Sequence, residues 1–192
     1  MKSSTNHNIK HRETSKDVFY TPLELVKTHL EQITPYNEEN FKIFEPFFGS
    51  GRYYNEYKNY FNKNNTFDWC EIEKEKDFFK YDQKVDIIVS NPPYSILDDV
   101  LDHSTKLNPK IISYLIGVNN LTPKRCEFMN SKGYKLINIH FCKVYQWFGM
   151  SIIATFSKNG INCISYDRKI YKEETPEKKE RKKRSKKDKT II

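Results

Sequence analysis

The run VDIIVS, Val85 to Ser90, is followed at once by Asn91, Pro92, Pro93 and Tyr94, and this junction constrains the fold more than any other stretch. Nearly continuous aliphatics without polar alternation suit a strand covered on both faces, the centre of a parallel sheet. Two consecutive prolines cannot donate to a sheet ladder, and they hold the preceding Asn91 in extended geometry, so the strand must stop there on a stiff elbow. A parallel neighbour then needs a crossover, which the pattern supplies as a helix over Ser95–Lys106.

The same grammar recurs along the chain. Apolar residues at 23, 25, 26, 30 and 33 predict a helix over Thr21–Ile33, with Thr21 as N-cap and Pro22 at the first helical position. A strand follows at Lys42–Glu45, a glycine turn at Phe48–Gly51, a helix at Tyr53–Phe61 and a strand at Thr66–Ile72. Beyond the proline elbow come a strand at Lys110–Val118, a helix at Pro123–Ser131, and strands near Leu136–Val144 and Ser151–Phe156. Alternating strands and helices predict an α/β fold with a mostly parallel sheet.

A chain of 192 residues suits one core. Residues 1–16 read as a flexible polar leader, 17–174 as the folded domain and 175–192 as a disordered basic tail. Between Glu177 and Lys189 stand nine Lys or Arg against three acids, so this tail carries six of the net charge of +8. Such a run buries no apolar surface; it suits nonspecific, salt-dependent attraction to nucleic acid, or an import signal. No apolar run reaches the length that crosses a bilayer, and Met1–Lys16 is too polar for a secretory signal. An intracellular site, cytoplasmic or nuclear, is expected; richness in Lys, Asn, Ile and Tyr fits AT-rich coding, as in some large DNA viruses. The four cysteines, Cys70, Cys126, Cys142 and Cys163, are scattered singly and predict neither zinc nor disulfides. His7 and His11 lie in the polar leader, and no metal is expected.

Three places carry chemistry. In EPFFGSG, Glu45 to Gly51, two glycines permit a tight turn where strand gives way to helix, and the helix amides suit a carboxylate, while Glu45 suits a ligand ammonium. In WCEIE, Glu71 sits at the end of the second strand, where an acid bonds ribose hydroxyls in doubly wound folds; Glu73 is the alternative. In NPPY, the Asn91 side-chain oxygen and the Pro92 carbonyl offer two fixed acceptors for an NH2 group, and Tyr94 offers a face for a planar base.

With these residues the chain resembles class I S-adenosylmethionine-dependent methyltransferases of the amino-methylating type, most like the DNA N6-adenine methyltransferases. The family's [DNS]-P-P-[YFW] tetrapeptide matches Asn91, Pro92, Pro93 and Tyr94, and its E/D-P-F-x-G-x-G loop matches Glu45, Pro46, Phe47, Gly49 and Gly51. Its acid after the second strand matches Glu71, its D-F pair matches Asp77 and Phe78, and its F-x-T-P element matches VFYTP, Val18 to Pro22. The resemblance implies a Rossmann-like seven-stranded sheet with an antiparallel last strand and helices on both faces. It implies S-adenosylmethionine as cofactor, held by Tyr20, Thr21, Pro22, Glu45, Pro46, Phe47, Gly49, Gly51, Glu71, Asp77, Phe78 and Asn91, and catalysis by Asn91, Pro92, Pro93 and Tyr94. The implied reaction methylates the exocyclic N6 of adenine in DNA, after the base leaves the stack.

No separate target-recognition region is evident. Sequence reading would fall to the loop Val118–Arg125, with Lys124 and Arg125, to Trp147 and Phe148 of YQWFGM beside Tyr94, or to a partner protein; the same two aromatics equally suit a hairpin packed into the core. DNA is the expected partner. Adenine in RNA, cytosine N4, a protein glutamine amide, and a non-catalytic nucleic-acid-binding subunit of the same fold are the alternatives.

Overall fold

Within the strands, neighbouring residues turn to opposite faces of the sheet, and both faces are apolar. The computed structural model describes residues 19–145, 147, 149–159 and the backbone of 163–171. On one face, Ile43, Ile87 and Val89 pack against Val26, Leu30 and Ile33 of helix α1 (Leu23–Ile33) and Tyr53 and Tyr57 of helix α2 (Arg52–Tyr60). On the other, Phe44, Ile88 and Ile112 pack against Leu97, Val100 and Leu101 of helix α3 (Leu97–Lys106) and Met129 of helix α4 (Pro123–Ser131). Strand residues covered twice explain the unbroken aliphatic runs.

The strands are β1 (Lys42–Glu45), β2 (Thr66–Trp69), β3 (Ile87–Ser90), β4 (Ile111–Gly117), β5 (Lys135–Val144), β6 (Ser151–Ser157) and β7 (Cys163–Tyr171). They form one seven-stranded sheet in the order β2-β1-β3-β4-β6-β5-β7. β1 pairs in parallel with β2 and β3, β3 with β4, and β5 with β7; β6 runs antiparallel to both of its neighbours. The sheet is thus Rossmann-like and mostly parallel, with helices on both faces, as expected. The last strand that the sequence pattern marks, β6, is the antiparallel one. A further strand, β7, follows it and runs parallel to β5; Asp167, Arg168 and Lys169 interrupt its apolar residues and hide it from a periodicity reading.

Several ends shift from expectation, each for a local reason. β2 stops at Trp69, because the Cys70 carbonyl accepts from Phe48 N–H and Glu71 bridges to Lys76, turning the chain into a 3-10 turn at Ile72–Lys74. α1 starts at Leu23 with Pro22 in the N-cap position and no side-chain cap. Thr21 does not cap it: its hydroxyl accepts from Asn91 Nδ2 at 3.2 Å. Between the elbow and α3 lies a 3-10 turn at Tyr94–Ile96. The helix predicted at Pro123–Ser131 forms there, its N-cap Thr122 accepting from Arg125 N–H. No helix among the described residues is long and apolar enough to cross a membrane.

Candidate active site

In the sheet order, β2 and β3 flank β1 on opposite sides, so the chain leaves the carboxyl ends of β1 and β3 in opposite directions and opens a crevice between them. The strap Phe19–Pro22, entering α1, runs beside this crevice, with Phe19 and Tyr20 in its wall. The result is a cavity of about 520 Å³. Of the residues expected at a cofactor or catalytic site, Tyr20, Pro46, Phe47, Gly49, Glu71, Asp77, Phe78 and the whole elbow Asn91, Pro92, Pro93, Tyr94 line it.

Asn91 is the residue whose chemistry is most sharply defined. Its Nδ2 donates to the Phe19 carbonyl at 3.0 Å and to Thr21 Oγ1 at 3.2 Å. A carbonyl can only accept, so the amide must present its nitrogen to the strap, and both amide hydrogens are used there. Its Oδ1 is left buried with no partner among the described residues. A buried acceptor without a donor costs on the order of 1–3 kcal/mol, and such groups in a native fold ask for a ligand or a water. Here the orphan belongs to a side chain that lines the cavity.

The β1–α2 loop shows why glycine is needed. Gly49 and Gly51 take φ of +49° and +75°, and a Cβ on Gly51 would stand 2.5 Å from the Phe48 ring. The Gly49 N–H donates to Glu71 Oε2 at 2.6 Å, and the other oxygen of Glu71 accepts from Glu73 N–H at 3.5 Å, the Glu71 side chain capping the turn Ile72–Lys74. One carboxylate therefore ties the glycine loop to the end of β2. Asp77 plays the same part for the next turn, accepting from Phe79 N–H at 2.9 Å. Phe47 meets the buried Phe78 edge-on at 5.2 Å between ring centres, making an aromatic wall.

The lining holds three carboxylates, Glu71, Glu73 and Asp77, and no lysine or arginine. Such a wall repels the pyrophosphate of a dinucleotide and favours a ligand that carries positive charge. The glycine-loop amide that would cradle a phosphate is already occupied by Glu71. In charge and in its planar apolar wall, the site fits a sulfonium nucleoside.

Other expectations fall elsewhere. Glu45 is 1% exposed and does not line the cavity; its Oε2 accepts from Tyr54 N–H at 2.9 Å, so it caps the first turn of α2 rather than reaching for a ligand ammonium. Burial pushes its carboxyl well above the usual range, against the Tyr54 hydrogen bond, and Glu71 adds to the rise. Gly51, Thr21 and Pro22 also lie behind the lining: Gly51 shapes the loop, Thr21 holds Asn91 and its carbonyl accepts from Arg52 Nη1 at 2.7 Å, and Pro22 starts α1. Trp147 is 8% exposed and packs among Leu25, Leu115, Cys142, Val144 and Ile153, edge-on to Phe19. It braces the strap from below instead of flanking a base. Arg125 is likewise committed to the fold, donating to Asp98 at 2.6 Å and to the Asn120 carbonyl at 2.8 Å. Lys124 is exposed and outside the cavity lining. Val18, Phe148, the leader and the basic tail lie outside the described residues.

Phe19, the first residue of the F-x-T-P element, lines the cavity too, and three lining residues escape sequence reading: Ile72, Phe79 and Ile96. Each lies within two residues of a recognised position and is apolar and exposed, Ile72 by 73%. An apolar residue in a charged loop such as EIEKEKD is the signal that could have found Ile72. No group of three or more potential metal ligands gathers among the described residues.

No family model matches the chain, and no curated protein matches it in sequence. Solved structures do match in shape. One is named as a candidate RNA methyltransferase from Pyrococcus horikoshii: TM-score 0.58, 14% identity, covering 72% of this chain and 85% of that one. Another is named as a candidate class I S-adenosylmethionine-dependent methyltransferase from Listeria monocytogenes: TM-score 0.56, 10% identity, covering 85% of this chain and 68% of that one. A third is the methyltransferase subunit of a type I restriction-modification system from Streptococcus thermophilus: TM-score 0.56, 15% identity, covering 91% of this chain and 54% of that one. The chain has the α/β Rossmann-like fold of these methyltransferases.

Proposed function

We propose that this protein is an S-adenosylmethionine-dependent methyltransferase that modifies the exocyclic N6 of adenine in DNA. The observation that carries the reading is the buried, unpartnered Oδ1 of Asn91 beside a cavity of about 520 Å³. An amine nitrogen of an aromatic base has its lone pair drawn into the ring, so it needs acceptors for its hydrogens as positive charge develops on nitrogen. Asn91 Oδ1 is one such acceptor, and the Pro92 carbonyl is assigned as the second. Both strengthen as the charge grows, which favours the transition state over the ground state. Tyr94 supplies the stacking face for the base, and the prolines keep the elbow from paying entropy on binding.

When bound, S-adenosylmethionine supplies an electrophilic methyl group next to this acceptor. Glu71 is assigned to its ribose hydroxyls, Asp77, Phe47 and Phe78 to its adenine, the Gly49–Gly51 loop to its amino-acid end, and Tyr20 of the strap to its outer face. The acidic lining supports this choice over a phosphate-bearing cofactor.

DNA is supported by the EPFFGSG loop of the resemblance and by the restriction-modification methyltransferase among the structural neighbours. Adenine in RNA is the second reading, supported by the neighbour named for RNA. Target recognition is assigned to a partner protein, and the basic tail to nonspecific attraction of the polyanion. Incubation with labelled cofactor and DNA, RNA or protein, followed by nucleoside and peptide mass analysis, tests the reading. N6-methyladenine in DNA is the expected product. Label in RNA alone replaces the substrate, and no label in any polymer overturns the enzyme.

A further inference from the structure

Arg52 opens helix α2 directly after the left-handed Gly51, so its cation stands at a helix N-terminus, where the macrodipole disfavours positive charge. No acid accompanies it in the first turn. An arginine in such a place asks for a reason outside its own helix. Among the described residues no carboxylate pairs with it; its Nη1 donates instead to the Thr21 carbonyl of the strap at 2.7 Å. Thr21 is nearly buried, and the first amides of α1 to turn back, Leu25 and Val26, both go to the Pro22 carbonyl. The Thr21 carbonyl is thereby left to Arg52.

What the strap does with this anchor is seen at Asn91, whose Nδ2 donates to the Phe19 carbonyl at 3.0 Å and to Thr21 Oγ1 at 3.2 Å. The two orientations of a carboxamide fill nearly the same space, so packing cannot choose between them and hydrogen-bond partners must. Turned over, the amide would set its oxygen against the Phe19 carbonyl and its NH2 against an incoming NH2. Acceptor would face acceptor, and donor would face donor. The position of the strap therefore decides whether the elbow offers an acceptor at all. A hydrogen bond from a cation is of the stronger kind, and it falls on the residue that carries one of the two acceptors.

Resting on the proposed function, we infer that Arg52 and Thr21 are positioning residues: Arg52 anchors Thr21 by its carbonyl, and Thr21 with Phe19 turns the Asn91 amide so that Oδ1 faces the target amine. Neither Arg52 nor Thr21 lines the cavity, so both act through Asn91. Because Arg52 follows Gly51 without a break, the anchor also joins the glycine loop after β1 to the elbow after β3.

Thr21→Val removes one acceptor and keeps the shape, and Thr21→Ser restores the hydroxyl. In protein labelled with 15N-asparagine, the Asn91 side-chain resonances are identified by their loss in Asn91→Ala. Thr21→Val is expected to exchange the Nδ2 hydrogens about tenfold faster, the worth of one net hydrogen bond. Turnover at saturating substrates falls by a similar factor, cofactor Kd stays within about twofold, and Thr21→Ser recovers exchange and turnover. Arg52→Met, which keeps the stem and drops the guanidinium, gives a smaller change in the same direction. Thr21→Ala and Arg52→Gln, whose amide stops short of the Thr21 carbonyl, take their places should either not fold. Unaltered Asn91 exchange in a folded Thr21 variant overturns the inference, and unaltered exchange in a folded Arg52 variant removes Arg52 from it. If the wild-type protein methylates nothing, the functional reading fails, and the amide exchange, which needs no substrate, still decides the positioning.

Discussion

Asn91 has two hydrogens and one oxygen to place, and the strap takes both hydrogens. Asn91→Ala therefore removes the amine acceptor and loosens the strap together. Turnover is expected to fall by about a hundredfold or more, as for loss of a single transition-state-stabilising group, with cofactor Kd weakened no more than about tenfold. Steady-state kinetics and calorimetry on the same preparation separate the two effects. Two buried titratable groups give stability opposite dependences on pH. The folded pKa of His29 is about 3, below its ordinary 6.5, so the unfolded chain binds the extra proton, and stability is lost as pH falls from 6.5 toward 3, by about 1.4 kcal/mol per unit at most. Glu45 is raised, so its contribution is complete below the ordinary carboxylate value of 4.5 and is lost as pH rises above it, through the folded pKa. Denaturant unfolding across this range should show the acid loss diminished in His29→Gln and the alkaline loss diminished in Glu45→Gln.

At the scale of elements, the site is made by three strand ends and the short turns that follow them. The turn after β1 tolerates no side chain at Gly51, whose φ is +75° and whose added Cβ would stand 2.5 Å from the Phe48 ring. Gly51→Ala should cost about 1–3 kcal/mol of stability and displace Gly49, hence Glu71, from the cavity wall. Thermal unfolding with and without cofactor checks this: the stabilisation that cofactor confers should shrink along with the melting temperature. Much of this was legible in the sequence. The aliphatic run of β3, the prolines that end it and the glycines after β1 have strong local meaning, and each formed where the pattern put it. Of the two readings open for Trp147 the packed one holds, and Arg125, expected at a nucleic-acid surface, is paired within the fold; neither outcome has a local signature, because a large aromatic or a cation carries no mark of which distant residues will bury or pair it. Leu25, Leu115 and Ile153, which bury Trp147, come from three other elements, and Asp98, which holds Arg125, sits on α3.

Over the whole molecule, the sheet places its acidic crevice at one edge, while the excess of positive charge lies in the terminal run from Glu177 to Lys189. A polyanionic substrate would be drawn by the tail and not by the cavity, whose wall carries no lysine or arginine. Truncation after Glu174 should weaken DNA binding and flatten its salt dependence without altering the methylated product. Filter binding over a range of salt concentrations, beside nucleoside analysis, reads both outcomes. A changed product would mean that the tail takes part in choosing the target base.

By itself, the sequence determined the alternation of strand and helix, the double-sided burial of β3, the stiff Asn-Pro-Pro-Tyr elbow and most of the residues flanking the crevice. All of these follow from periodicity, glycine and proline, which act over a few neighbouring residues. Only the tertiary structure decided that Glu45 turns into α2, that Trp147 braces the strap, and that Asn91 spends its hydrogens on Phe19 and Thr21, leaving its oxygen bare. Those outcomes depend on which distant donor or apolar surface reaches each side chain first, and that competition is settled only when the elements pack.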